Sequence, residues 1–194
     1  MRNKMRWLFL VVSFVFIPQI VFAKTIVIIG GWGSDKNPKE LTYLQESIPG
    51  SVAIAPNRCW PLSKAATDVL QQLKEKDING KLVLIGHSWG GLIAREIDAE
   101  NPGLIQKIIT IGTPNAGFWF APWFVCEPRE GKTLAPLYAV AGDIGSGTDG
   151  VVSTPSALGV KKAEDAKIFS RVSHVGLLQS REVLSQILVW LESP

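Results

Sequence analysis

The strongest chemical signal in the chain is a serine set among glycines, Gly86-His87-Ser88-Trp89-Gly90-Gly91. An apolar run leads into it and a helical pattern leads away. The G-x-S-x-G spacing therefore falls where a strand turns sharply into a helix. On so tight a turn the serine must take strained dihedrals, and the residues two before and two after it crowd together; Gly86 and Gly90 have no Cβ to clash. The turn lifts the Ser88 hydroxyl to the start of a helix, where free N–H groups and the dipole favour a developing negative charge. Such a serine is a candidate nucleophile, and a nucleophilic serine needs a base. The chain has two histidines. His87 adjoins Ser88, where neighbouring side chains diverge, and reads as a packed or hydrogen-bonded structural residue. His174, in Ser173-His174-Val175-Gly176, is the candidate base. An acid between them in chain order would complete a Ser–Asp–His set. Asp143 and Asp149 are both placed for it, and the residues alone leave both open.

These groups need a scaffold, and the hydropathy pattern supplies one. Short apolar runs recur at 25–30 (TIVIIG), 51–56 (SVAIAP), 81–86 (KLVLIG), 107–112 (KIITIG), 137–142 (LYAVAG) and 167–173 (KIFSRVS). Four have near-continuous apolar centres, as buried parallel strands do. Between them, residues 39–47, 64–76 and 90–100 carry apolar residues at helical spacing, with Ser63 as a candidate N-cap, and a last helix is expected over 177–191. Alternation of this kind predicts one α/β domain with a parallel sheet. Ser88 then ends the third strand, the two aspartates follow the fifth, and His174 follows the sixth. One interval breaks the rhythm. Residues 113–136 (TPNAGFWFAPWFVCEPREGKTLAP) are aromatic, rich in proline and aperiodic, and connections that long are usually functional. Lys161-Lys162 and Glu164-Asp165 read as a solvated turn.

The first 23 residues read as an address. A basic start with Arg2, Lys4 and Arg6 precedes an uncharged stretch at 7–17, then Pro18 and Gln19, then Val21-Phe22-Ala23 before Lys24. That is the secretory pattern, so residues 1–23 are expected to be a signal peptide, residues 24–194 a single exported domain, periplasmic or secreted. The rival, an uncleaved anchor, is short for a membrane span of roughly 20 residues. The formal charge of +3 comes from the same segment: without its three basic residues, seventeen basic residues face seventeen acidic ones. A neutral domain has no global field to gather phosphates, which argues against nucleic acid as a partner. Cys59 and Cys126, an even count in an exported chain, suit one disulfide; two buried free thiols are the other reading. Both cysteines fall in connections leaving the carboxyl edge of the sheet, so a bond would tie the aromatic insert to the rim. Gly145-Ser146-Gly147-Thr148-Asp149-Gly150 spells G-x-G-x-x-G, but it comes late and no clear helix follows, so no dinucleotide is expected. No calcium pattern of D-x-D-x-D form and no zinc ligand set is present, and no cofactor or metal is expected.

The elbow at 86–91, with acid and base following in that order, resembles those of α/β-hydrolases, most closely the small bacterial lipases and esterases with a G-H-S-x-G-G turn. The resemblance runs from the first strand to the last helix. It implies a compact α/β-hydrolase fold, with about six mostly parallel strands, helices on both faces and a short lid-like insert at 113–136. It places the base in the loop that holds His174. Thr148-Asp149-Gly150-Val151-Val152 resembles the D-G-V-V segment that carries the family's acid, which selects Asp149 over Asp143. The oxyanion donors would be the backbone N–H groups of Trp89, just after the nucleophile, and of Trp32, in the loop at 30–34. Related lipases often read His-Gly-x-Gly in that loop; this chain has Gly30 where the histidine would sit, and so lacks its brace.

Tryptophans complete the expectation. Trp32, Trp60, Trp89, Trp119 and Trp123 all fall in connections after strands, at the edge where α/β ligands bind. They suggest an aromatic pocket roofed by residues 118–124, with Trp119 and Trp123 as substrate-binding residues. The function this implies is an exported serine hydrolase of carboxylic esters, acting through Ser88, Asp149 and His174 on a small-molecule ester or lipid, with transient contact to lipid surfaces. An acyltransferase, thioesterase or amidase would use the same triad. A non-catalytic lipid-binding protein on this scaffold is the reading from another class, and it has no need of all three residues.

Overall fold

Runs of β-branched and aliphatic residues that can be buried on both faces become the centre of a sheet, and the helices that cover those faces complete it. The computed structural model describes residues 24–34, 38–56, 61–117 and 133–194. The strands are β1 (Thr25–Ile29), β2 (Val52–Ile54), β3 (Leu82–His87), β4 (Ile105–Ile111), β5 (Leu137–Asp143) and β6 (Ala163–Ser170). They form one sheet in the order β2-β1-β3-β4-β5-β6, every pair parallel. The order reverses between β1 and β3, whose carboxyl ends are therefore the topological switch point where α/β ligands bind. The loop at 30–34 and the turn at Ser88 leave from those two ends.

Helices α2 (Leu62–Glu75) and α3 (Trp89–Glu100) cover one face. Leu62, Ala65, Ala66, Val69 and Leu73 of α2 share a buried stripe. α1 (Thr42–Ser47), entered through a 3-10 turn at Pro38–Leu41, and α5 (Arg181–Glu192) cover the other face with Leu44, Val183, Ile187 and Trp190. Full burial of each such large aliphatic side chain contributes roughly 1.5–3 kcal/mol, so the two stripes, more than helix propensity, hold the layers. Lys107 on β4 fixes the end of α5. Its buried ammonium donates to the Trp190 carbonyl at 2.5 Å, and to the Ser193 carbonyl and hydroxyl at 2.7 and 2.8 Å, where the helix dipole is negative.

Three local expectations need correction. β6 begins at Ala163, so Glu164 and Asp165 are strand residues and not a turn. As an edge strand pairing only with β5, β6 needs no continuous apolar run, and its register shifts near its start. α2 is capped at Pro61 and not at Ser63, because Leu62 is itself helical and buried. The last helix does not run from 177: a 3-10 turn at Gly176–Leu178 precedes it, and Ser180 caps α5 by accepting the Val183 N–H at 3.3 Å. The stretch after Asp149 also contains one unexpected helical turn, α4 (Thr154–Ala157), capped by Ser153.

The expected signal segment at 1–23 lies outside the described residues. So do Cys59 and Trp60, and most of the long insert, with Trp119, Trp123 and Cys126. The described flanks of that insert are tied to α3. Arg95 donates to the Asn115 backbone and side-chain oxygens at 3.0 and 3.3 Å and to the Thr133 hydroxyl at 3.4 Å. Asp98 accepts the N–H groups of Leu134 and Ala135 at 2.5 and 3.0 Å. Among the described residues no helix is long and apolar enough to cross a membrane.

Candidate active site

Ser88 stands between β3 and α3 with φ 54° and ψ −125°, a left-handed conformation for a residue with a side chain. Such a conformation costs of order 1–3 kcal/mol and persists only where the surroundings over-determine it. They do so here. The Ser88 N–H is held by the Ile111 carbonyl at 2.8 Å, and its carbonyl accepts the Gly91 N–H at 3.1 Å. A methyl on Gly86 would lie 2.5 Å from the Gly91 nitrogen; one on Gly90 would lie 2.5 Å from the Gly30 carbonyl oxygen. The turn thus has backbone on every side. Its serine makes no capping bond to the helix that follows.

The structure brings Asp149 and His174 together. His174 Nδ1 donates to Asp149 Oδ2 at 2.7 Å, with the two residues 8% and 1% exposed. A buried, charge-assisted bond of this length is among the stronger side-chain contacts. Asp149 Oδ1 accepts the N–H groups of Val151 and Val152 at 2.9 and 2.7 Å, and the His174 N–H donates to the Asp149 carbonyl at 2.8 Å. Burial alone would push this carboxyl up, but the His174 contact and the two amides outweigh it and hold the group below its ordinary range. Gly112, at φ 54°, lies beneath the pair: a methyl there would come within 3.0 Å of Asp149 Oδ2 and 3.1 Å of His174 Nδ1. Nothing in the sequence singled Gly112 out beyond its place at the end of an apolar run.

Asp143 points elsewhere. Its Oδ1 accepts the amides of Gly145, Ser146 and Gly147 at 2.7, 3.0 and 3.0 Å. These bonds, the Gly145 one foremost, keep the carboxyl ionised and close the loop on itself. His87 lies buried with its ring centroid 4.6 Å from that of His174. Its Nε2–H donates to the His174 carbonyl at 3.1 Å, and burial, with His174 alongside, pushes it down to about 3, so the ring is neutral.

The loop after β1 packs on the serine. A methyl on Gly31 would sit 2.8 Å from Ser88 Cβ and 3.2 Å from the His87 carbonyl oxygen. Residues 31–34 form a turn closed by the Ser34 N–H on the Gly31 carbonyl, and Gly33 takes φ 87°. The space that a side chain at residue 30 would need is filled by Ser34, whose Cβ lies 2.5 Å from where a Gly30 methyl would be. Trp32 is mostly exposed on this loop. The Trp89 ring is buried in the core that α2 and α3 share with the sheet, and its Nε1 has no hydrogen-bond partner among the described residues. Among the described residues no three His, Cys, Asp or Glu side chains gather as a metal site would need.

Comparison with known proteins agrees with this architecture. A family model for the alpha/beta hydrolase fold matches residues 31–134. A triacylglycerol lipase of Pseudarthrobacter phenanthrenivorans is 51% identical over 41 residues, a stretch that covers 21% of this chain and only 13% of that lipase. An alpha/beta hydrolase fold protein from Chitinophaga pinensis superposes with TM-score 0.69 at 13% identity, over 89% of this chain and 90% of that one. The mature lipase BlEst2 of Bacillus licheniformis gives TM-score 0.64 at 15% identity, over 87% and 91% of the two chains. At such identities the superpositions speak for the fold.

Proposed function

The chain belongs to the alpha/beta hydrolase fold family, and on that premise we propose that it is an exported serine hydrolase that cleaves carboxylic esters through an acyl-enzyme. The observation that carries this reading is the buried Asp149–His174 bond at 2.7 Å, with the His174 ring 4.6 Å from that of His87, the residue before a serine on a strained strand-to-helix turn. Asp149 accepts the Nδ1–H of His174, which leaves Nε2 as the basic nitrogen. His174 takes the proton of Ser88 as Oγ attacks the ester carbonyl, and Asp149 stabilises the imidazolium that forms. The oxyanion rests on the Trp89 and Trp32 amides. His174 then protonates the leaving alcohol, and a water activated by the same base releases the acid. A lipid binder without activity would have no use for a buried, aligned acid–base pair, since it costs desolvation and contributes nothing to apolar binding.

Expressed with its leader, the purified protein should label at Ser88 with a fluorophosphonate and hydrolyse p-nitrophenyl esters. A chain-length series from acetate to palmitate would define the acyl group it accepts. Absence of both labelling and turnover in the folded protein would remove the hydrolase reading.

A further inference from the structure

We propose that Ser34 is a positioning residue that aims and polarises the Trp32 N–H as an oxyanion donor; the role rests on the ester-hydrolase reading. Ser34 is only 2% exposed, and both its backbone N–H and its hydroxyl donate to one acceptor, the Gly31 carbonyl, at 3.2 and 2.8 Å. That carbonyl and the Trp32 N–H belong to the same peptide unit. The unit is planar and trans, so the two groups point in opposite directions and turn together. Fixing the oxygen from the Ser34 side therefore fixes the direction of the hydrogen on the other. Two donors on the oxygen also draw charge across the amide and make its N–H a stronger donor. The unit adjoins the reacting serine, since Gly31 packs against Ser88 Cβ and the His87 carbonyl.

Gly31 and Gly33 flank Trp32, so the backbone of this stretch turns freely unless a contact directs it. Residue 30 has no side chain, and its space is taken by Ser34 itself. Gly33 at φ 87° permits the turn but does not fix it, because glycine is at ease in many conformations. The Ser34 hydroxyl is the directional contact. Since the Trp32 N–H would bind charge that develops only in the transition state, Ser34 is expected to affect kcat and leave KM nearly alone.

Ser34→Ala keeps the Cβ that fills the space at Gly30 and removes only the hydroxyl. The experiment compares this variant with the wild type on p-nitrophenyl butyrate, and measures inhibition by phenylboronic acid. The boron accepts the Ser88 oxygen, its proton passing to His174, to give a tetrahedral adduct that imitates the intermediate. KM and Ki do not depend on how much of a preparation is folded, so a partly unstable variant still reports. The proposal expects kcat to fall roughly tenfold, less than the loss of a whole oxyanion donor, with Ki weakened by a similar factor and KM within about twofold. A Ki within twofold of the wild type overturns the positioning role, whatever happens to kcat. A wild-type protein that fails to label at Ser88 overturns the hydrolase reading and this role with it. Labelling with unchanged Ki overturns the role of Ser34 alone.

Discussion

The turns that leave β3 and β5 present functional groups at the same edge of the sheet, and they hold them by opposite means. After β3, Ser88 sits in a conformation its own backbone resists, kept there by contact: Gly86, Gly90 and Gly91 let β1, Thr113 and α3 close in to distances no Cβ allows. After β5, residues 143–152 are held by hydrogen bonds. Asp143 gathers three amides on its Oδ1 at one end and Asp149 two on its Oδ1 at the other, and it is Asp149 whose second oxygen faces His174. Steric confinement fixes a group rigidly and fails altogether when a methyl is added. A hydrogen-bonded loop can lose its charge and keep its shape. The first device suits an attacking atom, whose position must not vary; the second suits a group whose task is electrostatic.

The sharpest way to test the division is to remove the attacking atom. Ser88→Ala should fold as the wild type does and lose at least ~10³ in ester turnover, measured against p-nitrophenyl butyrate with labelling as the control. Persistent full labelling of that variant would move the nucleophile elsewhere. Next in size is the contrast within the β5 loop. Asp149→Asn should cost roughly 10²–10⁴ in kcat, because an amide cannot hold the His174 tautomer or stabilise its cation. Asp143→Asn keeps a carbonyl oxygen for the Gly145, Ser146 and Gly147 amides, and its kcat should stay within about threefold. If Asp143→Asn were the more damaging, the acid would have to be reassigned. On the steric side, Gly90→Ala should lower the free energy of urea unfolding by roughly 3 kcal/mol or more, since its Cβ would meet the backbone of residues 29 and 30. A loss under 1 kcal/mol would mean that the turn yields more easily than contact on every side implies.

The same difference decides what could be read from the sequence. The elbow was legible because steric confinement needs glycines at fixed offsets from one serine, and the strand and helix on either side show in the periodicity. The strand centres of β1 to β5 were legible because buried parallel strands are written as unbroken apolar runs. Which aspartate meets His174 was not legible from the residues alone. Asp143 and Asp149 lie in one glycine-rich stretch, and which of them faces His174 depends on loop geometry that no spacing records. Resemblance to a family chose Asp149, the carboxylate the structure sets against His174. Ser34 and Gly112 were missed for the same reason: a serine five residues after a strand and a glycine at a strand end are common, and only the packed structure shows what they touch. β6 was misplaced at its start because an edge strand is under no demand to be apolar. The split before α5 followed from Ser180, whose side chain caps a helix start within a run that otherwise keeps helical spacing.

The smallest expected effect concerns His87, which joins the two devices. It lies in the confined turn yet contributes through a hydrogen bond, donating Nε2–H to the carbonyl of His174. Burial, with His174 alongside, pushes its value from 6.5 to about 3 against the opposing pull of the His174 carbonyl and, further off, of Asp149, and leaves it neutral. The sign follows from proton counts. Between those values the unfolded chain binds a proton at residue 87 and the folded protein does not, so acidification favours unfolding. The contribution is fully present above 6.5 and drains away as pH falls toward 3. Asp149, held below 3.8, loses its own contribution only as pH falls through its folded value, and so stays constant over the window from pH 7 to 5. From pH 7 to pH 5 the His87 term alone amounts to about 2 kcal/mol of unfolding free energy. His87→Gln keeps an N–H for the His174 carbonyl and removes the titration. Urea unfolding at the two pH values should show the wild type losing about 2 kcal/mol more than the variant. Equal losses in the two proteins would mean that His87 takes up a proton in the folded state, and that the turn at Ser88 is looser around it than its buried hydrogen bond implies.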